Sequence, residues 1–296
     1  MSARVILNPY SGRWKARQRW PEAAAALQAA GIEFDMLEMS GPNDGIAKAR
    51  EAAQAGFSPI IVAGGDGAIG EVVNGLYQAN PDGVLGPLGV IPLGTANDLM
   101  VNLGLPLDLN QAAQVIAAGK TRRIDLIQAN EWVFDNNSAV GLEPVVTLYN
   151  IRMVRLKGIL RYLVAALRAI WAQPAWQGRM QWDDGHYEGP LSLVSVGNGA
   201  ITGGIFRMSP AADPADGKLT FVYAYVPGRL RMLGLLPKTF NGSHVNDPAV
   251  HQHHATRLEI ELSPSSPIQV DGELRSEAIT RVVYQVLPGK LEILAR

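Results

Sequence analysis

Three short stretches of the sequence combine glycine with polar side chains that can meet phosphate groups. They read NPYSG at residues 8–12, GGDGAIGE at residues 64–71 and LGTAND at residues 93–98. Glycine lets backbone N–H groups approach phosphate oxygens closely, and a helix that begins there adds the positive end of its dipole. Carboxylates beside phosphate typically hold Mg²⁺, because like charges otherwise repel. With Asp66 and Asp98 in two of the stretches, the sequence predicts a site for phosphate and magnesium.

Each stretch also has a simpler interpretation. A single glycine-rich segment between a strand and a helix is commonly only a tight turn. Asp66 or Asp98 alone could be the N-cap of a helix. Three such turns, two of which carry aspartate, favour the phosphate–metal site over three unrelated turns.

The elements that must position these stretches alternate between strand and helix patterns over about the first 125 residues. Apolar runs precede the three stretches at Val5–Leu7, Ile60–Ala63 and Leu88–Leu93. Helical patterns cover Glu22–Ala30, Asn43–Ala55, Glu71–Gln78 and Leu109–Ala118. This alternation predicts an open, mostly parallel α/β sheet with helices on both faces. Ligands of such sheets bind beyond the carboxyl ends of the strands, where all three stretches fall.

The pattern changes from about residue 124. Short alternating runs follow, separated by glycine, proline and aspartate, as is typical of a β-sandwich or barrel. One long helical pattern interrupts them at residues 150–172. The sequence therefore predicts a nucleotide-binding α/β domain at residues 1–123 and a β-rich, β-sandwich-like domain with an inserted helix at residues 124–296.

Composition excludes several classes of protein. The net charge is −1 over 296 residues, which argues against a bulk nucleic-acid binder. Cysteine is absent, so disulfide frameworks and thiol catalysis are excluded, and we expect a cytoplasmic protein. The N-terminal segment lacks the pattern of a signal peptide, and no segment approaches 18 uninterrupted apolar residues.

Local positive charge collects in two acid-free stretches, between Glu143 and Asp183 and between Asp216 and Asp247. Their basic residues are Arg152, Arg155, Lys157, Arg161, Arg168, Arg179, Lys218, Arg229, Arg231 and Lys238. Such faces suit phosphate groups or an anionic membrane. The helical pattern at 150–172 is amphipathic, with Leu156, Leu160, Leu163, Leu167, Ile170 and Trp171 at spacings of three or four. It could lie on a membrane or pack against the second domain.

Taken together, the motifs resemble the catalytic domain of the diacylglycerol kinase family, which includes soluble bacterial lipid kinases, sphingosine kinases and ceramide kinases. GGDG alone also occurs in NAD kinases and phosphofructokinases, but the resemblance continues through most of the chain. Its later landmarks are IDLI (124–127), FDNNSAVG (134–141), VGNGAITGG (196–204), the DG of PADGKL (214–219) and VDGE (270–273).

The chain departs from the family pattern at two positions. Ala68 stands where the family usually has threonine, and Gly70 stands where asparagine is common. A single neutral hydrogen bond contributes about 1 kcal/mol. The missing hydroxyl at position 68 therefore predicts weakened nucleotide binding rather than its loss.

The resemblance implies that the chain binds ATP and Mg²⁺. The implied ATP-binding residues are Asn8, Pro9, Tyr10, Ser11, Gly12, Arg13, Ser40, Gly65, Asp66, Gly67, Ala68, Ile69, Gly70, Glu71 and Thr95. Asp66 and Asp98 would organise the catalytic Mg²⁺. Either Asp271 or Glu273 would accept the proton of the lipid hydroxyl, and the sequence does not choose between them. Asp271-Gly272 could equally be a hairpin turn.

A second, structural Mg²⁺ is implied near the later DG. It would take the side chain of Asp216 and carbonyl oxygens of Asp213 and Lys218. The alternative is an Asp-Gly hairpin turn without an ion. The histidines of HQHH at 251–254 could bind zinc, but without matching cysteine or acidic ligands the sequence favours a solvated loop.

The function implied by the resemblance is ATP-dependent phosphorylation of a lipid hydroxyl, in a cleft between the two domains. The expected partners are a lipid substrate and, peripherally, an anionic membrane, with no nucleic acid; the oligomeric state stays open. Two alternatives remain at this point. One is an NAD kinase-like enzyme, and the other is a weakly active lipid-binding regulatory protein, which Ala68 would favour.

Overall fold

The computed structural model describes residues 3–153, 158–172 and 174–295. The chain divides into two compact units that alternate along the sequence. The first unit comprises residues 1–126, 133–135 and 287–296, and the second comprises residues 127–132 and 136–286. The predicted fold class is confirmed, while the boundary predicted after residue 123 stays a prediction.

The first unit is built on parallel strands. Its elements are β1 (Ala3–Leu7), α1 (Ser11–Trp14), α2 (Ala16–Ala29), β2 (Phe34–Glu38), α3 (Asp44–Gln54), β3 (Ile60–Gly64), α4 (Asp66–Ala79), β4 (Leu85–Pro92), α5 (Asp98–Asn102) and α6 (Leu109–Ala117). Strand β1 lies between β2 and β3, and β3 pairs with β4, all in parallel. The carboxyl ends of these strands therefore share one edge.

Helices cover both faces of this sheet because successive strand residues point in opposite directions. Ile60 and Val62 of β3 join a core cluster with residues of α3 and α4. Ile61 and Ala63 join another cluster with residues of α2 and α6. Each face of β3 is thus buried, which explains its uninterrupted apolar sequence.

The second unit is built mainly on antiparallel strands. In chain order the remaining elements are β5 (Thr121–Ala129), β6 (Trp132–Phe134), β7 (Asn137–Gly141), α7 (Leu142–Arg152), α8 (Gly158–Ala172), β8 (Trp176–Trp182), β9 (Gly185–Leu191), β10 (Leu193–Gly197), β11 (Leu219–Ala224), α9 (Arg229–Leu235), 3₁₀ helices at Leu236–Phe240 and Ser243–Asn246, β12 (Val250–Ala255), β13 (Arg257–Val270) and β14 (Glu273–Leu294). Strand order in the second unit is β12-β11-β10-β7-β13-β14. Strand β13 pairs with β8 early and with β7 late, so one strand serves both layers of the sandwich-like fold.

The structure corrects two predictions in this half. The HQHH segment forms strand β12 rather than a solvated loop, because its backbone pairs with β11 and the ring of His253 stacks on Phe221. The helical pattern at 150–172 falls on two helices, α7 and α8. Leu156, Arg155 and Lys157 lie outside the described residues. Within the described part of the chain, no helix is long and apolar enough to cross a bilayer.

Candidate active site

The three glycine-rich stretches pack directly against one another at the shared edge of the first unit. A side chain on Gly65 would place its Cβ 2.8 Å from the Cα of Gly94. A Cβ on Gly12, whose φ is +59°, would lie 2.6 Å from the carbonyl oxygen of Leu93. Only glycine permits these approaches. The glycines therefore let three loops converge at the place where ligands of parallel sheets bind.

Hydrogen bonds fix the loop that follows β1. The Ser11 hydroxyl accepts the N–H of Gly65 at 3.2 Å, which ties this loop to the one that follows β3. The side-chain oxygen of Asn8 accepts the N–H of Tyr10 at 3.0 Å. The phenol of Tyr10 donates to the carbonyl oxygen of Ser40 at 3.2 Å. Asn8, Tyr10, Ser11 and Ser40, all predicted ATP-binding residues, are thereby brought together.

Asp66 is the first residue of α4, and its carboxylate points to the start of α5. Its Oδ2 accepts the N–H of Asn97 at 2.9 Å. Its Oδ1 is buried and has no hydrogen-bond partner among the described residues. Burial raises the pKa of Asp66, against the opposing effect of backbone N–H groups at Asp98, Asn97 and Leu99. The carboxylate therefore caps a neighbouring helix with one oxygen and leaves the other unmatched.

Asp98 and Asn97 lie in the third loop. Asp98, the first residue of α5, is buried. Asn97 precedes it with a left-handed φ of 53°, and its side-chain oxygen accepts the N–H of Gly94 at 3.1 Å. Sequence reasoning named Asp98 but missed Asn97, which holds the loop closed. The signal was present, because asparagine is among the residues that tolerate this conformation.

Glu71 and Ser40 are engaged in capping α3. The two carboxylate oxygens of Glu71 accept the N–H groups of Asn43 at 3.0 Å and Gly45 at 2.9 Å. Ser40 donates its N–H and its hydroxyl to Oδ2 of Asp44, at 2.7 and 2.8 Å. The Lys48 ammonium and these bonds lower the pKa of Asp44 to about 2. Both predicted ATP-binding side chains thus shape the rim of the site.

The predicted ATP-binding residues include both exposed and buried side chains. Tyr10, Arg13 and Thr95 are exposed. Trp14, which the sequence analysis did not name, is also exposed and meets the ring of Tyr10 edge-on, with centroids 4.7 Å apart. Pro9, Ala68, Ile69 and Gly70 are buried, and Ile69 packs in the core. The side chain of Ile69 therefore supports the loop from beneath.

The residues at Asp66 fit a magnesium ion. Mg²⁺ prefers carboxylate oxygens and keeps several water ligands. The unmatched Oδ1 of Asp66 supplies one such oxygen. In the described ranges no group of three or more His, Cys, Asp or Glu side chains gathers to hold a metal. The fit is thus to an ion whose other ligands are water and phosphate.

The loop predicted to hold a second magnesium shows a simpler arrangement. Oδ1 of Asp216 accepts the N–H of Lys218 at 2.9 Å, and Oδ1 of Asp213 accepts the N–H of Ala215 at 3.0 Å. Both carboxylates are exposed and stabilise their own turns. These contacts do not test the metal, and the second Mg²⁺ stays a prediction.

Asp271 lies in the second unit, in the two-residue turn between β13 and β14. Both turn residues have positive φ, 48° at Asp271 and 77° at Gly272, as in the type I′ turns of tight hairpins. Oδ1 of Asp271 accepts the N–H groups of Asn136 at 3.1 Å and Asn137 at 3.0 Å. Glu273, the other predicted base, is exposed at the start of β14. Asp271 is therefore both a turn residue and a carboxylate held in one orientation.

Behind this turn lies a buried carboxyl group that the sequence analysis missed. Oε1 of Glu143 accepts the side-chain N–H groups of Asn137 at 3.0 Å and Gln269 at 3.1 Å. The side-chain oxygen of Gln269 accepts the N–H of Gly272 at 2.7 Å. Burial raises the pKa of Glu143, opposed by the bond from Asn137. The Asp271-Gly272 turn and Glu143 thus belong to one hydrogen-bond network.

An apolar cavity of about 110 Å³ lies in the second unit beneath α7, α8 and α9. Its wall consists mostly of aliphatic and aromatic side chains, together with Glu143, Thr239 and His244. Buried residues of the three helices and of β11 form the surrounding core cluster. The cavity is suited to a hydrocarbon chain with few polar groups.

Two family models match the chain. Residues 2–129 match the diacylglycerol kinase catalytic domain, and residues 137–295 match the YegS C-terminal NAD kinase beta sandwich-like domain. The chain is 29% identical over 274 residues to the diacylglycerol kinase of Bacillus subtilis (strain 168), a match that covers 92% of this chain and 89% of the relative. It is 28% identical over 274 residues to the diacylglycerol kinase of Staphylococcus saprophyticus, a match that covers 92% of this chain and 88% of the relative. It is 30% identical over 255 residues to a probable YegS-like lipid kinase of Chromohalobacter salexigens, covering 85% of this chain and 81% of the relative.

Solved structures show the same fold. The crystal structure of a diacylglycerol kinase from Bacillus anthracis str. Sterne gives a TM-score of 0.75 at 22% identity, covering 100% of this chain and 97% of that one. Another structure from that organism gives a TM-score of 0.82 at 24% identity, with the same coverage. These likenesses confirm the architecture described above.

Proposed function

Because the chain belongs to the family of diacylglycerol kinases and YegS-like lipid kinases, we propose that it transfers the γ-phosphate of ATP to the hydroxyl of a diacylglycerol-like or sphingoid lipid. Because this family consists of lipid kinases, we set aside the NAD kinase-like alternative. The observation that carries the proposal is the convergence of three glycine-rich loops at the carboxyl ends of β1, β3 and β4.

ATP is assigned to the first unit. The N-terminus of α4, which begins at Asp66, provides backbone N–H donors and the positive end of the helix dipole for phosphate oxygens. Arg13, which directly follows the NPYSG stretch, is exposed and adds positive charge. The exposed ring of Tyr10 and the neighbouring Trp14 offer flat surfaces suited to the nucleotide base. The other predicted ATP-binding residues shape this rim, as described above.

Mg²⁺ is assigned to Asp66, with Asp98 organising the same loop. Bound there, the ion would neutralise phosphate charge, which is the chief electrostatic demand of phosphoryl transfer. Asp66 would hold the ion through Oδ1, since its Oδ2 is already hydrogen-bonded to Asn97. The chain's own part in the reaction is then orientation of ATP and removal of the lipid proton.

The base is assigned to Asp271 in preference to Glu273. A general base must be held in a defined position to accept a proton as the bond to phosphorus forms. Backbone N–H groups of Asn136 and Asn137 hold Oδ1 of Asp271. Glu273 is exposed, and Asp271 is the better positioned of the two.

The lipid is assigned to the second unit. The apolar cavity beneath α7, α8 and α9 suits an acyl chain, and Glu143 in its wall connects to the network that holds the Asp271 turn. This contiguity within one unit would bring the lipid hydroxyl toward its base.

Peripheral membrane contact is assigned to the outer surfaces of α8 and α9. The inner face of α8 is formed by Ala165, Ala166, Ala169 and Ile170, which are buried. Large apolar side chains instead face outward at Leu160, Leu167, Trp171 and Leu230. The Arg229 guanidinium lies 5.0 Å from the ring centroid of Trp171. Apolar and basic side chains together suit an anionic membrane on the cytoplasmic side.

Label transfer tests the proposal. The protein is incubated with γ-labelled ATP, Mg²⁺ and separate acceptors: diacylglycerol, monoacylglycerol, sphingosine, ceramide and NAD. We expect label on at least one lipid and none on NAD. Label on NAD, or no lipid label with any acceptor, would overturn the proposal, and the latter would favour a lipid-binding regulatory protein.

Two matched variants test the base. Asp271→Asn keeps a turn-forming residue but removes the base, so we expect kcat to fall by about 10²–10⁴ with ATP affinity unchanged. Glu273→Gln is expected to keep its kcat, because Glu273 is exposed. Full kcat in both variants would place the base elsewhere.

A further inference from the structure

Glu143 is a buried carboxyl group whose hydrogen bonds are incomplete. It lies in the first turn of α7, and its Oε1 accepts hydrogen bonds from Asn137 and Gln269. Its Oε2 is buried without a hydrogen bond of good geometry, and the Ser195 hydroxyl beside the carboxyl group opposes the rise of the Glu143 pKa. Burying a carboxyl oxygen without a partner is costly, so such a group calls for an explanation. A missing ligand is one that the surroundings support.

The surroundings are the apolar cavity. Leu142 and Val146, on either side along α7, line it together with Glu143. Two other polar side chains line it. The Thr239 hydroxyl donates to the carbonyl oxygen of Leu236 at 2.6 Å, and Nε2 of His244 lies 3.2 Å from the carbonyl oxygen of Met208. With Nε2 of His244 donating to a backbone carbonyl oxygen, its buried and unpaired Nδ1 is an acceptor and cannot donate to a lipid carbonyl.

Burial also sets which kind of group Glu143 can bind. The pKa of Glu143 is raised by burial, which favours the protonated carboxyl group. A protonated carboxyl group can donate its hydrogen to an acceptor such as a carbonyl oxygen. It is poorly matched to a cationic amine, which would need the charged form. An ester or amide therefore fits this wall better than the free amine of a long-chain base.

The other side of Glu143 reaches the Asp271-Gly272 turn. Asn137 donates its side-chain N–H to Oε1 of Glu143 and its backbone N–H to Asp271. Gln269 donates to the same Oε1 and accepts the N–H of Gly272. One carboxyl group thus anchors both segments that fix the turn.

We propose that Glu143 recognises the acyl linkage of the lipid. Its Oε2 donates a hydrogen bond to an ester or amide carbonyl in the cavity, while its Oε1 keeps the Asp271 turn in position. Glu143 is in this sense a specificity and positioning residue. The inference rests on the proposed function in taking the cavity as the lipid site. It narrows the substrate class to acylated lipids that carry a free hydroxyl.

A matched pair of ligands isolates the proposed hydrogen bond. Dioctanoylglycerol and its dioctyl ether analogue share the hydroxyl and nearly the same apolar length, but only the ester has carbonyl oxygens. Binding of each to the full chain is measured by calorimetry without ATP. One neutral hydrogen bond corresponds to a preference of about 5-fold for the ester.

Three variants complete the test. Glu143→Gln keeps an acceptor for Asn137 and Gln269 and places an amide donor at the other position, so part of the ester preference should remain. Glu143→Leu should bind ester and ether equally. Thr239→Val is the control, because the Thr239 hydroxyl lines the same cavity but is already bonded to the carbonyl oxygen of Leu236, and this variant should keep the full preference.

The outcomes separate this inference from the proposed function. Equal binding of ester and ether by the unaltered protein overturns the inference, as does an ester preference that survives Glu143→Leu or disappears in Thr239→Val. Ester preference without label transfer to any lipid supports the inference and overturns the kinase assignment of this site. If Glu143→Leu fails to fold by circular dichroism, the ligand pair on the unaltered protein still decides.

For the positioning role, kcat and KM are compared with dioctanoylglycerol as substrate. Glu143→Leu should lower kcat as well as raise the lipid KM, because Asn137 and Gln269 lose their shared acceptor. Glu143→Gln should restore kcat. An unchanged kcat in Glu143→Leu would overturn the positioning role.

Discussion

Replacing Asp66 by asparagine should remove turnover and make the protein more stable at neutral pH. Asparagine keeps the size of the side chain and an oxygen that can accept the N–H of Asn97. What it removes is a charge that burial disfavours. Because burial outweighs the opposing hydrogen bonds and raises the pKa of Asp66, the folded state favours the neutral form, which asparagine imitates.

The expected gain follows from this balance. Single stabilising substitutions in natural proteins commonly raise the free energy of unfolding by about 0.5–2 kcal/mol, at the expense of activity where they touch a functional site. For a unit of about 150 residues, each kcal/mol corresponds to a rise in Tm of about 2–4 °C. We therefore expect a Tm increase of about 1–8 °C at pH 7, together with loss of the Mg²⁺-dependent reaction.

The pH dependence has a definite sign. The folded-state pKa of Asp66 lies above the ordinary value of 3.8, so the folded protein holds the proton more tightly than the unfolded chain. Wild-type stability is therefore lost as pH rises from 3.8 through the raised pKa. The Tm advantage of Asp66→Asn should be full at pH 7 and should shrink toward pH 4.

Scanning calorimetry at pH 4, 5 and 7, with turnover measured in parallel, checks this prediction. Asp108→Asn is the matched control, because Asp108 is an exposed N-cap of α6 and asparagine caps equally well. The control should leave both Tm and turnover unchanged. A lower Tm for Asp66→Asn at pH 7 would refute the burial argument, and near-normal turnover would remove Asp66 from the metal site.

Two further predictions concern nucleotide and membrane binding. Ala68→Thr restores the hydroxyl common in the family and should tighten ATP binding by up to about 1 kcal/mol. Because a Cβ on Gly64 would lie 2.6 Å from that of Ala68, the larger side chain should also lower Tm. Unchanged or weaker ATP binding in a calorimetric titration would contradict the hydroxyl argument. Binding to anionic vesicles should fall with added salt and should be weaker in Trp171→Ala. Trp14→Ala is the control, because Trp14 is about as exposed as Trp171. Equal sedimentation with neutral and anionic vesicles at every salt concentration would count against membrane docking by α8 and α9.

Local patterns were sufficient to predict the loops that form the candidate ATP site. Glycine and polar residues directly after apolar runs identify the ends of parallel strands, and the packing of Gly65 against Gly94 gives the physical reason for that composition. The two interpretations of Asp271-Gly272, a hairpin turn and the position of a general base, are compatible. The hairpin turn needs the positive φ values, and the same turn lets the carboxylate accept two backbone N–H groups.

Side-chain partners that are distant in sequence could not be predicted. The helix that Glu71 caps begins 27 positions before it in the chain, and no local pattern marks that pairing. Glu143 was missed because a single acid among apolar residues has no repeating pattern; an isolated carboxyl group in the run SAVGLEPVV was the available signal. The strand at HQHH was missed because its stability comes from pairing with β11 and from ring stacking.

The return of residues 287–296 to the first unit has a consequence for synthesis. Leu291 pairs in parallel with Leu85, so this late segment completes the strand layer beside β4. While the ribosome is still translating the preceding residues, β4 has an unprotected edge that invites mispairing with other nascent chains. The first unit is therefore completed only after residues 136–286 have been synthesised, and a chain truncated before residue 287 would leave this edge of β4 unpaired.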